Sequence, residues 1–368
     1  MSNQLINEND LKKIINEKPL KKIFILSGKN SYFKTGAENI FKKLLINNDH
    51  IIFLKKTKLP EFDELERIIF ALNEYNPDLI IAVGGGCVMD LGKISSVLKN
   101  SNDLRKDVIE SNLPEQKIEL IAIPTTAGSG AEVTSNAVIY LDNIKYSVEG
   151  NLVRPDYFYL LPELLLSTHF YLDATACFDA ISQSVESLFS VKSNNESVKH
   201  AKEALIILLS NFKKFFQNKN TSNSYQMLKG ANFAGKAINI SKTIAPHALS
   251  YPFTSLYGVP HGHAVSLTFN EILKFNYLNI NRSKNIIDIK SRYQILFDLT
   301  KTNNINDLNS FFLLIKNELK LEQNFQKLNI NLKADKEQIL SGVNDQRLKN
   351  NPIKIAKEDI KKIFNEME

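Results

Sequence analysis

The chain has 368 residues, of which 43% are hydrophobic and 23% charged, with a formal net charge of +6. These proportions are those of a globular protein and exclude a disordered or fibrous chain, while the length predicts two domains rather than one. Cys87 and Cys177 lie far apart and outside any C-x-x-C pattern, which excludes a disulfide framework and a zinc ribbon and predicts a reducing compartment.

The lysines and asparagines are scattered, so the positive charge reads as a solvated surface, and no nucleic-acid partner is expected. The opening MSNQLINENDLKK has no apolar core of signal-peptide length, and no run approaches the roughly 18 apolar residues of a spanning helix. The expectation is a soluble, cytoplasmic protein without a membrane partner.

Residues 22–26 (KIFIL) form an apolar run that ends at Ser27-Gly28, as a buried parallel strand enters a turn. Residues 51–54 (IIFL) predict a second strand. Residues 61–75 place Phe62, Leu65, Ile68, Ile69 and Leu72 at helical spacing. Residues 79–83 (LIIAV) then run into Gly84-Gly85-Gly86, and this strand, helix, strand order implies right-handed βαβ units and a parallel sheet.

The stretch GGGCVMDLGK, residues 84–93, has the character of a phosphate-approach loop. Glycine lets the backbone come close to a ligand, and the following helix offers free N–H groups at its positive end. It matches neither the G-x-G-x-x-G fingerprint nor the G-x-x-x-x-G-K-[ST] loop, and three glycines after a strand also suit a plain tight turn. A fourth strand at 118–123 leads into PTTAGSGAE, residues 124–132, a second hydroxyl- and glycine-rich loop at a strand end, where open α/β sheets bind ligands. Two such loops point to a dinucleotide. Residues 138–141 and 157–161 predict further strands, with Asp142-Asn143 as the turn between them.

Beyond Pro162 helical patterns dominate, as at 197–216, where Ala201, Leu205, Leu208, Leu209 and Phe212 share a stripe. The boundary is placed there, with an α/β domain over 1–162 and an all-helical domain over 163–368. A lysine-rich amphipathic helix from about Lys357 reads as a solvated face. In this half Asp179 and Gln183 are four residues apart and share a helical face. Residues 246–264 hold three of the six histidines: His247, His261 and His263. Together these side chains offer the N and O donors of a divalent-metal site, although an ordinary amphipathic helix and packed histidines fit the same residues.

The order GGGCVMDLGK, PTTAGSGAE, FDAISQSVES, His247 and Pro260-His261-Gly262 resembles the iron-containing (group III) alcohol dehydrogenases of the dehydroquinate synthase-like superfamily, over essentially the whole chain. The resemblance implies an α/β plus all-α fold: an N-terminal Rossmann-like dinucleotide-binding domain and a C-terminal helical domain. It implies that Asp179, His247 and His261 hold a metal, iron(II) or zinc, and that Gly84, Gly85, Gly86, Asp90, Thr125, Thr126 and Ser129 cradle NADPH or NADH. It also implies a homo-oligomer, expected to be a dimer.

Three positions depart from that pattern. Gln183 stands where the family usually has a histidine ligand, Tyr251 where it has a second histidine four residues after His247, and Cys87 where it has a serine. Ser27-Gly28-Lys29 lacks the acidic residue of NAD-preferring members, which leaves room for the 2′-phosphate of NADPH.

The segments AGKAINISK, APHALSYP and PHGHAV further resemble the branch that reduces phosphonoacetaldehyde to 2-hydroxyethylphosphonate. That likeness implies an anionic aldehyde substrate, with Lys242 and Arg347 as candidates for its headgroup. His261, as a ligand, and His263 are the catalytic candidates, with the alkoxide taking its proton from water or from His263. Sulfoacetaldehyde or another short-chain aldehyde, a dehydroquinate synthase-like lyase, and a non-catalytic nucleotide-binding protein remain the alternatives.

Overall fold

The computed structural model describes residues 2–17, 21–142, 144–283 and 287–367. By contact the chain divides into two compact units, Met1–His169 with Lys213–Gly235, and Phe170–Phe212 with Lys236–Glu368. Where the sequence pattern places one boundary after residue 162, residues 213–235 thus pack with the α/β unit. The physical reason is visible at Gly235, where a Cβ would come within 2.5 Å of the Gly130 carbonyl oxygen. A second tie is the hydrogen bond from buried Asn232 to Glu132, at 2.9 Å.

The first unit is built on a six-stranded parallel sheet. Its strands are β1 (Asn3–Leu5), β2 (Ile23–Gly28), β3 (His50–Lys55), β4 (Leu79–Gly84) and β5 (Glu119–Pro124), with β8 (Tyr157–Tyr159) returning after a separate antiparallel hairpin, β6 (Asn136–Leu141) with β7 (Ile144–Glu149). The order across the sheet is β1-β8-β5-β4-β2-β3, so the chain leaves β2 toward β3 and then crosses back to β4. The reversal lies between β2 and β4, and in open α/β sheets ligands bind outside the carboxyl ends of strands at such a point.

Side chains alternate through the sheet as strand geometry requires. Phe24, Leu26, Ile80 and Ala82 pack on one face, under α4 (Phe62–Tyr75), α5 (Gly86–Leu98) and α6 (Leu104–Glu110). Ile23, Ile25, Leu79, Ile81 and Val83 pack on the other, under α1 (Glu8–Ile15), α2 (Lys29–Phe33) and α3 (Ala37–Leu44).

Two sequence expectations change here. The residues after Leu141 turn back into β7 instead of running on to the strand at 157, so the hairpin was missed. Asp142 takes a left-handed φ of 50°, as a tight turn needs, while Asn143, the other half of the predicted turn, lies outside the described residues. The structure adds a short strand, β1, and a helix, α1, which Asn7 and Asp10 open with a capping box and which buries Leu11 and Ile15.

The helical unit contains α7 (Phe170–Phe189), and α8 (Asn195–Gln217) and α9 (Thr221–Ser241) each begin or end in it. It continues with α10 (Ala245–Tyr257), α11 (His261–Leu278), α12 (Ile289–Thr300), α13 (Ile305–Glu318), α14 (Leu332–Ser341), α15 (Asp345–Leu348) and α16 (Lys357–Met367). The lysine-rich α16 is more than a solvated face. Ile360, Ile363 and Phe364 are buried, and Phe364 packs on Phe253 of α10, so this helix closes the core beneath the histidines. Among the described residues no helix is long and apolar enough to cross a membrane. Cys87 and Cys177 are free thiols.

Candidate metal and cofactor sites

The two glycine-bearing loops meet in the first unit. Gly84 pairs with Pro124 in the parallel ladder, and the Thr125 amide donates to the Gly84 carbonyl at 3.0 Å. The loops stand so close that a Cβ on Gly85 would lie 3.3 Å from Thr126 Oγ1, and one on Gly86 3.0 Å from Ser129 Oγ. Gly85 caps α5 with extended backbone and no side chain, so no capping side chain meets the first N–H groups of that helix. Gly84, Gly85, Gly86, Thr125, Thr126 and Ser129 therefore converge at the carboxyl ends of β4 and β5.

Asp90 lies on α5 beyond these glycines. Its carboxylate accepts from the Val138 amide at 3.2 Å and lies 3.8 Å from Lys93, so it fastens α5 to the hairpin. Burial raises its pKa, an effect opposed by Lys93. The thiol of Cys87 is pushed by burial up to about 11, against the pull of Lys55, and stays protonated at neutral pH.

The metal candidates come together in the helical unit. On α7 Asp179 and Gln183 sit one turn apart, and Gln183 Nε2 donates to Asp179 Oδ2 at 3.1 Å. His247 lies in the first turn of α10, where Pro246 suits the helix start. His261 opens α11 after Pro260, and Gly262 lets that helix touch α7. A Cβ on Gly262 would fall 2.0 Å from the Thr175 carbonyl oxygen and 2.9 Å from Asp179 Cβ.

One donor atom each from Asp179, His247 and His261 then lies within 4.8 Å of the others. His247 Nε2 is 3.2 Å and His261 Nε2 3.9 Å from Asp179 Oδ1. An ion about 2.1 Å from each of its donors separates them by roughly 3.4 Å in a tetrahedral site, and the observed spacings bracket that value.

The hydrogen-bond pattern tests the fit. Asp179 Oδ1, His247 Nε2 and Gln183 Oε1 are buried and, among the described residues, make no hydrogen bond. Buried polar atoms are nearly always paired, so three orphans at the predicted ligand positions mark a place built for a cation.

The ring of His247 shows why. Its Nδ1 lies 2.6 Å from Glu186 Oε1, and a carboxylate only accepts, so Nδ1 carries a proton. Nε2 of the neutral ring then turns a lone pair toward the Asp179 carboxylate. Burial alone would disfavour a charged imidazole, but Glu186 and Asp179 outweigh it and push the His247 pKa up to about 10. Asp179, although burial would raise it, is held below its ordinary value by His247, His261 and the Gln183 amide. The pocket demands positive charge, which a second ring proton or a divalent ion can supply.

The remaining candidates are placed differently. His263 is buried with both ring nitrogens engaged: Nδ1 lies 2.8 Å from the Tyr171 hydroxyl and Nε2 2.6 Å from the Glu322 carbonyl oxygen. Burial lowers its pKa. It pins α7 and the 322 segment to α11, and no ring nitrogen is left over for the proton transfer expected of it.

Tyr251 lies parallel to the His261 ring, 11° between planes at 6.0 Å. Lys242 ends α9 at a left-handed φ of 61°, its amide bonded to Ile238 O at 2.8 Å. Arg347 belongs to α15, which packs against α10. Glu186 went unassigned in the sequence, although its place seven residues after Asp179, on the same helical face, is the signal that could have found it.

Residues 5–162 match the family "Iron-containing alcohol dehydrogenase", and residues 173–367 match "Fe-containing alcohol dehydrogenase family, C-terminal". The chain belongs to the iron-containing alcohol dehydrogenase family. It is 29% identical over 226 residues to a phosphonoacetaldehyde reductase of Streptomyces viridochromogenes, covering 58% of this chain and 57% of that one. It is 32% identical over 267 residues to a 4-hydroxybutyrate dehydrogenase of Clostridium kluyveri, covering 67% and 71%. The chain thus spans just over half the length of the first of these relatives. The sulfoacetaldehyde reductase of Bifidobacterium kashiwanohense, solved in complex with NAD+, shares the fold with a TM-score of 0.87 at 18% identity, over 100% of this chain and 96% of that one.

Proposed function

We propose that the chain catalyses the NAD(P)H-dependent, metal-assisted reduction of a small anionic aldehyde to its primary alcohol, with phosphonoacetaldehyde, giving 2-hydroxyethylphosphonate, as the leading substrate. The observation that carries this reading is the cluster of buried donor atoms, Asp179 Oδ1 3.2 Å from His247 Nε2, with His261 and the unbonded Gln183 Oε1 beside them. When bound, iron(II) or zinc supplies Lewis acidity toward the carbonyl oxygen, and the nicotinamide supplies the hydride.

The chain's own residues divide the rest. Asp179, His247 and His261 hold the ion, with Gln183 Oε1 as a neutral fourth donor. Gly84, Gly85, Gly86, Thr125, Thr126 and Ser129 take the diphosphate, and Gly28, lacking a carboxylate at the end of β2, admits a 2′-phosphate. His261, with its side chain 39% exposed, forms the solvent-facing side of the donor set. The proton that completes the alcohol comes from water. Lys242 and Arg347 are the candidates for the headgroup.

The names of the two sequence relatives support the substrate class, because phosphonoacetaldehyde and the aldehyde of 4-hydroxybutyrate are both short and end in an anion. Sulfoacetaldehyde is the second candidate. The test is a competition assay of phosphonoacetaldehyde, sulfoacetaldehyde, the 4-hydroxybutyrate aldehyde and acetaldehyde, each with NADH and NADPH. The highest kcat/KM is expected with phosphonoacetaldehyde and NADPH, with stoichiometric loss of the reduced cofactor. Tight cofactor binding without its consumption on any aldehyde refutes the reductase in favour of a lyase or a binding protein. The homo-oligomeric, cytoplasmic enzyme expected from the sequence belongs to this reading and is checked by light scattering and cell fractionation.

A further inference from the structure

Glu186 lies one turn beyond Gln183 on α7 and is fully buried. Both of its oxygens are committed: Oε1 to His247 Nδ1 at 2.6 Å, and Oε2 to the Ile244 amide, which caps α10, at 2.8 Å. Among the described residues no lysine or arginine pairs with it. Leaving a carboxylate this deep without a lysine or arginine partner is expensive, and a helix cap alone does not require the charge.

We propose that Glu186 is a positioning residue of the metal site. It holds His247 in the Nδ1–H tautomer and fixes the first turn of α10, so that Nε2 presents its lone pair beside Asp179. This rests on the metal reading above.

The chemistry separates glutamate from its amide isostere. Two N–H groups, from His247 and Ile244, converge on the two carboxylate oxygens. A glutamine offers one oxygen and one NH2, so one of those donors would meet another donor. The backbone amide of Ile244 cannot change, whereas the imidazole can. With glutamine the ring relieves the clash by accepting on Nδ1, which moves its proton to Nε2 and removes the lone pair a metal needs. Residues that orient a metal-bound histidine in this way typically change metal affinity by about 10–100-fold.

Metal-free wild type and Glu186→Gln are titrated with cobalt(II), read by its ligand-field absorption, alongside thermal unfolding of the metal-free proteins. The expected result is cobalt binding weakened by about 10–100-fold with an altered spectrum and a folded apoprotein. Equal affinity and spectrum overturn the proposal, as does lost stability with cobalt binding unchanged, which assigns Glu186 to structure alone. If Glu186→Gln does not fold, histidine-15N-labelled wild type with zinc decides. Metal on Nε2 with a proton on Nδ1 of His247 supports the assignment, and metal on Nδ1 overturns it. A wild type that binds no cobalt refutes the metal reading itself, and this proposal with it.

Discussion

Asp179 Oδ1 and His247 Nε2 lie 3.2 Å apart, both buried and neither hydrogen-bonded among the described residues. With the His247 pKa pushed up to about 10, the metal-free ring holds a second proton on Nε2 beside the carboxylate, and a bound cation takes that proton's place. Zinc or cobalt added to metal-stripped protein is therefore expected to raise its thermal midpoint. The stabilisation is about 2.7 kcal/mol when the free ion reaches 100 times its Kd. Scanning calorimetry of wild type and Asp179→Ala measures this, and a midpoint shift that survives in Asp179→Ala places the ion elsewhere.

Gly262 sets the distance between the helices that carry the site. Because a Cβ there meets the Thr175 carbonyl oxygen at 2.0 Å, Gly262→Ala must push α11 off α7. A loss of about 1–3 kcal/mol in stability is expected, together with weakened metal binding as His261 moves from Asp179. Denaturant unfolding and a metal titration read the two effects separately. An unchanged titration would show that the helix approach serves packing alone.

Coenzyme choice is expected to turn on the end of β2. A Cβ on Gly28 would meet Ser31 Oγ at 3.7 Å, Val88 Cγ2 at 3.9 Å and Lys55 Cε at 4.0 Å, all ordinary contacts, so Gly28→Asp should fold. Its carboxylate would repel a 2′-phosphate, since like charges set together typically cost several kcal/mol. The ratio of kcat/KM for NADPH over NADH should fall at least about tenfold, or 1.4 kcal/mol. Steady-state kinetics with both coenzymes checks this, and an unaltered ratio would move the discrimination to another position.

Lys316 governs a pH dependence far from neutral charge balance. Its ammonium donates to the Ser266 carbonyl at 2.5 Å and to Gln323 Oε1 at 3.0 Å, and it lies over the Phe178 ring. Glu271 and His263 are the titratable neighbours on α11. Burial drives its pKa down to about 7, with Glu271 opposing. Between about 7 and the ordinary lysine value near 10.4 the unfolded chain binds more protons than the folded one, so stability should rise with pH across that window. Lys316→Met should flatten the rise. Urea unfolding from pH 6 to pH 10, run on both proteins, gives the slopes, and parallel curves would remove Lys316 from the account.

Much of this protein was legible in the sequence. Continuous apolar runs such as 79–83 ending in glycines identified a buried parallel strand and the turn that follows it, because both faces of such a strand are covered. The helical spacing of Asp179 and Gln183 showed that they share a face. The hairpin at 136–149 escaped because β7 is mostly half-exposed and polar, so its alternation is faint. What the sequence could not decide was partnership across elements. His261 and His263 are two residues apart and chemically identical, yet one turns to Asp179 and the other is locked between Tyr171 and the Glu322 carbonyl. That split follows from the helical phase of α11 and its contact with α7 through Gly262. Glu186 shares a helical face with Asp179, but only the tertiary structure shows that α10 brings the His247 ring and the Ile244 amide onto its two oxygens.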